Sequence, residues 1–146
     1  MTYRNLLLVV HIACAAAWLG ANLVQLALTP QFVKKGGELA ASWFDATGWL
    51  AKRYYNAAGV LLAVTGILLV QETAYDWSAG FVAVGVVVIA VGAVLGIAFF
   101  AKEGDRIAEA FRSGGRADAS RYLAVAALDT CLVLLAVASM VWRWRA

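Results

Sequence analysis

HIACAAAWLGANLVQ, residues 11 to 25, decides the fold of this chain. The run is apolar enough to cross a membrane, yet it holds the only histidine, one of two cysteines, and a Trp, an Asn and a Gln. His11, Cys14, Trp18, Asn22 and Gln25 are spaced by 3, 4, 4 and 3 residues, intervals that keep side chains on one face of an α-helix. Polar groups facing lipid stay unpaired, so this face is expected to turn into a helical bundle. The intervening Ala13, Ala15, Ala16, Ala17 and Gly20 are expected to let a neighbouring helix approach closely.

The rest of the chain agrees. Of its 146 residues, 64% are hydrophobic and 14% charged, against about 25% charged in soluble domains. Four apolar segments approach or exceed the ~20 residues that cross the hydrocarbon: residues 5–28, 54–70, 80–101 and 122–141. The first is too long for a secretory signal peptide and is expected to end at Pro30, the sole proline. Because each backbone polar group in lipid is satisfied within its own segment, the expectation is all-α: one four-transmembrane-helix domain over residues 1–146.

Charge sets the expected orientation. Lys34, Lys35, Lys52, Arg53, Lys102, Arg106, Arg112, Arg116 and Arg121 fall in the connections 29–53 and 102–121, whereas only Arg4, Arg143 and Arg145 fall on the other side. Nine of the 12 basic residues on one side predict cytoplasmic connections and an N-out/C-out topology. Aromatic belts fit: Tyr3, Tyr75, Trp77, Trp142 and Trp144 at the outer level, and Trp43, Trp49, Tyr54, Tyr55 and Tyr122 at the inner. The net charge of +3 thus reports topology and not nucleic-acid binding. Each connection has room for a short helix, ELAASWFDATGWL in the first and GDRIAEAFRS, capped by Asp105, in the second.

Partners for the polar face follow from depth. Asp129 is the only acidic residue well inside a span, and it lies level with Asn22 and close to Trp18. Its two readings are a proton-handling or substrate-binding carboxylate and a structural inter-helix hydrogen bond. Asn56 lies at a similar depth and completes an expected network of Asn22, Gln25, Asn56 and Asp129. His11 sits nearer the outer surface, where Thr65 is the nearest polar residue of span two. A neutral imidazole there binds haem iron or a metal, or hydrogen-bonds across helices. With Cys14 one turn away, a copper site is a further candidate, although Cys131 is on nearly the opposite face from Asp129. Arg53 either contacts a propionate or phosphate or anchors the inner interface. Span three, GFVAVGVVVIAVGAVLGIAFFA, carries Gly92 and Gly96 in a GxxxG with Gly85 on the same face. That face packs within the bundle, against a second copy, or against a larger membrane complex. Phosphate-binding loops, paired catalytic carboxylates and nucleophile elbows are missing, which argues against soluble-type catalysis.

HIACAAAWLG, with its H-x6-W-L-G pattern, and RYYNAAGVLLAVTGILL resemble the first two helices of small bacterial membrane families. They look like the copper-resistance D type transmembrane domain and related four-helix membrane proteins. More distantly they are similar to the membrane-bound, oxygen-independent protoporphyrinogen oxidase, whose first helix carries a haem-associated histidine. The shared positions are His11, Trp18, Gly20, Arg53 and Gly66. The resemblance implies a bacterial cytoplasmic-membrane protein with His11 as ligand to haem b or a metal. An accessory subunit and a small proton-coupled transporter using Asp129 are the alternatives from the residues themselves.

Overall fold

The computed structural model describes residues 2–73 and 75–142. Four helical rods are present, and no strand occurs among the described residues. The first is α1, Tyr3–Lys35. The second joins α2, Gly37–Trp49, through a π-helical stretch, Leu50–Tyr55, to α3, Asn56–Gln71. The third joins α4, Gly80–Val94, through another, Leu95–Phe100, to α5, Ala101–Arg112. The fourth is α6, Ser120–Val141. All four are long and apolar enough to cross a membrane, and the chain is a small integral membrane protein.

The rods contain 33, 35, 33 and 22 residues, about 50, 52, 50 and 33 Å at the α-helical rise. The hydrocarbon is about 30 Å thick. Three rods therefore continue well beyond it, and the connections expected at 29–53 and 102–121 are helical over most of their length. The first helix does not end at Pro30, which lies inside α1. Only one backbone donor is lost there, a defect that membrane helices tolerate. The helix ends instead at Gly36 and Gly37, whose φ angles of 67° and 55° reverse the chain where a side chain would be strained. Likewise Asp105 does not cap a new helix, because the third rod runs through it without interruption. Asp118 holds the last turn-around: it accepts from the Ser120 hydroxyl and backbone N–H, which keeps its carboxyl below its ordinary pKa.

α2 and α5 pack on each other as an inner layer. Ala40, Ala41 and Phe44 meet Ile107, Ala108 and Phe111 in a tightly buried apolar core. Tyr122, at the start of α6, closes it, with its ring edge-on to Phe44 at 5.3 Å and to Phe100 at 5.2 Å. Trp43 does not anchor at the interface alone. Its ring stacks on Phe32 at 4.5 Å and its N–H donates to Thr29 at 3.0 Å, while Trp49 is exposed as expected. Arg112 bridges α5 to Asp45 and Glu38, an exposed pairing of small energetic weight.

In the membrane portion, α1 packs on α3 and α6, and α4 packs on α6. The buried face of α1 is Leu7, His11, Trp18, Asn22, Gln25 and Thr29. Ala13, Ala16 and Gly20 lie on its exposed side instead of mediating close approach. The glycine face of α4 turns inward. A Cβ at Gly85 would come 3.0 Å from Met140 Cε, and one at Gly92 would come 2.7 Å from Trp18 Cζ2. Gly85 and Gly92 are thus used inside the bundle, Gly96 has open space, and Val86, Val87, Val94 and Ile97 face outward, as lipid contact requires. Arg143, Trp144 and Arg145, used in the expected charge and aromatic patterns, lie outside the described residues.

Candidate functional site: a buried carboxylate at the end of a donor chain

Five side chains from three rods form one continuous hydrogen-bonded series. The Tyr122 hydroxyl donates to Gln25 Oε1 at 3.3 Å, and Gln25 Nε2 donates to the Tyr55 hydroxyl at 2.6 Å. Tyr55 in turn donates to Asn22 Oδ1 at 2.7 Å, and Asn22 Nδ2 donates to Asp129 Oδ2 at 2.7 Å. Every donor points the same way, and the series ends on a carboxylate. The Trp18 indole N–H adds a longer bond to the same oxygen, 3.4 Å. Asp129 is 5% exposed, and its other oxygen, Oδ1, is buried without a partner among the described residues.

Local structure explains this convergence. α1 contributes Trp18, Asn22 and Gln25 from one face because their spacing follows its turn. α6 contributes Asp129 and Tyr122 seven residues apart, two turns on the same side. Tyr55 comes from the end of the π-helical stretch, where one extra residue per turn rotates the following face. That rotation explains why Asn56 does not join the network: it is exposed, and its amide donates to Lys52 O at 2.9 Å. Tyr55 takes the position expected of it. A tyrosine at the depth of Gln25 was the available signal, obscured because tyrosines at span ends also read as interface anchors.

A chamber of about 40 Å³ opens beside Asp129, walled by Asn22, Gln25, Tyr55, Gly96 and Tyr122. Both π-helical stretches line it, through Ala51 and Tyr55 on one and Gly96 and Phe100 on the other. Most of its wall is apolar, but Asn22, Gln25, Tyr55, Tyr122 and Asp129 give it polar groups, and it exceeds the ~10–15 Å³ that a water needs. π-Helical turns recur at functional sites because they break the regular ladder.

His11 lies in a separate place. Its Nδ1 is 2.9 Å from Thr65 Oγ1, and the Thr65 hydroxyl donates to Leu61 O at 2.6 Å. The threonine oxygen can then only accept, which assigns the proton to Nδ1 and leaves the Nε2 lone pair free. The sequence had placed Thr65 at this depth, so His11 does have a protein partner. The cavity beside it measures about 50 Å³ and is lined by His11, Ala15, Trp18, Gly85, Val88 and Met140. Pockets for cofactor-sized ligands begin at about 300 Å³, so these walls do not fit a porphyrin. Cys14 is half-buried and Cys131 exposed. No three His, Cys, Asp or Glu side chains among the described residues gather as a metal site. Arg53 is exposed on the first π-helical stretch, away from the cavity that His11 lines.

No protein-family model, curated protein or solved structure matches the chain. The fold and the site together define a four-helix integral membrane protein with a buried carboxylate beside a small chamber.

Proposed function

We propose that this protein is a small proton-coupled transporter in which Asp129 takes a proton from chamber water and returns it there. The carrying observation is the asymmetry of its carboxylate. Oδ2 is occupied by Asn22 and Trp18, whereas Oδ1 is buried without a partner among the described residues. An acidic side chain at mid-membrane costs about 2.5–3.5 kcal/mol when charged, and two donors on one oxygen offset only part of that. A proton on Oδ1 removes the charge without disturbing the bonds to Oδ2. The nine basic residues at the α2–α5 end support a cytoplasmic placement of the inner layer, with both termini outside. The family resemblance supports a bacterial cytoplasmic membrane.

Asp129→Asn tests this reading while sparing the fold. The Asn carbonyl oxygen still accepts from Asn22 and Trp18, so stability is expected to change by less than about 1 kcal/mol. In infrared difference spectra recorded across a pH titration in lipid vesicles, the wild type should show a carboxyl band that the variant lacks. Identical spectra would remove Asp129 as the proton carrier. A redox role at His11 has less support, since its cavity is far too small for a haem. A Soret band from gently purified protein, lost on His11→Ala, would reverse that preference.

A further inference from the structure

We propose that Trp18 is a plug closing the bundle axis between the two cavities, latched by its hydrogen bond to Asp129. The latch rests on the proton-handling reading of Asp129, whereas the plug itself rests on packing alone.

All four rods meet at this indole. It belongs to α1 and is 6% exposed. Gly59 of α3 brings its backbone so close that a Cβ would lie 3.3 Å from Trp18 Cζ3. Gly92 of α4 also comes close to the six-membered ring, where a Cβ would lie 2.7 Å from Cζ2. Tyr55 meets it edge-on at 5.6 Å, and Asp129 of α6 accepts from its N–H. Two glycines from different rods thus let their backbones approach one large buried ring, which fills the space between the rods at that level.

The spaces on either side differ in character. Toward the chain termini lies the His11 cavity, whose walls are apolar apart from the imidazole. Apolar cavities of this kind stay dry. Toward the inner layer lies the chamber that Asp129 lines together with Asn22, Gln25, Tyr55 and Tyr122. On this proposal water and protons reach Asp129 through this chamber, and the indole together with the dry cavity bars the other route. At 3.4 Å the latch is weak for a hydrogen bond, and its strength depends on the carboxylate charge. A proton arriving on Oδ1 removes that charge and loosens the indole. Once the ring turns aside, the free Nε2 of His11 is the next acceptor along the axis.

The test uses the full chain in vesicles of phosphatidylcholine and phosphatidylglycerol, loaded with a pH-sensitive dye. Proton influx is followed after an external acid step with the membrane potential clamped by potassium and valinomycin. Trp18→Ala is expected to raise influx about tenfold by merging the two cavities into a wettable path. Adding Asp129→Asn to that variant should return influx to near the wild-type rate. Trp18→Ala at the wild-type rate, with helicity and detergent elution unchanged, overturns the plug. A raised rate that ignores Asp129→Asn keeps the plug but removes both the latch and the proton-carrying reading. Should Trp18→Ala not fold, Trp18→Phe keeps a ring between the glycines and loses only the N–H. Influx above wild type then supports the latch, and influx equal to wild type overturns it.

Discussion

Phe44→Ala is expected to cost about 3–5 kcal/mol, the range for emptying a fully buried aromatic site. Phe44 is 0% exposed and lies where α2, α5 and α6 meet, against Ile107, Phe111 and the edge of Tyr122. The walls have little room to collapse, because Gly104 already sets its backbone near Phe44 O and Ala40 and Ala41 are themselves fully buried. The loss should appear in thermal unfolding in detergent, and as faster proteolysis within residues 37–49 and 101–112. A cost below about 1 kcal/mol would mean that this core does not hold the layer. Because Tyr122 also bonds Gln25, the same substitution should loosen the lower end of the donor chain.

The second large effect separates two glycines of one motif. Gly92→Ala places a methyl 2.7 Å from Trp18 Cζ2 and 3.0 Å from Cη2. Gly59 also approaches the ring, where a Cβ would lie 3.3 Å from Trp18 Cζ3, so the indole must shift toward the cavity it lines. Overpacking of this kind costs about 1–3 kcal/mol, and the displaced ring should also lose its bond to Asp129. Gly96→Ala has open space and should be neutral within about 1 kcal/mol. Denaturant unfolding in detergent and tryptophan fluorescence read both variants. Equal behaviour of the two would show that the indole is not seated against Gly92.

Much of this was legible from residue order. The polar face of the first helix, the depth match of Asn22 and Trp18 with Asp129, and that of His11 with Thr65 all follow from rise and period alone. The helix register beyond a π-helical turn did not, because a single inserted residue rotates everything after it, exchanging Asn56 for Tyr55. Helix ends at 29–53 and 102–121 were also obscured. Pro30 and Asp105 are stop and start signals in isolated helices; here α1 absorbs the one donor lost at Pro30, and packing of α5 on α2 carries the third rod through Asp105. Gly92 was readable as a close-packing residue, but which helix it admits depends on the indole it faces. The size of the cavity beside His11 has no trace in the sequence.

Asp129 stands about 14 Å along α6 from Ser120 and about 18 Å from Val141, close to halfway through the hydrocarbon. A unit charge crossing the whole membrane changes energy by about 2.3 kcal/mol per 100 mV, so half the distance is worth roughly 1.1 kcal/mol. In the proposed proton-carrying role, a proton taken up at this depth is weighted about sevenfold per 100 mV. If Asp129 carries protons as proposed, the position of one residue on the fourth helix makes that step sensitive to membrane voltage without any dedicated voltage-sensing helix.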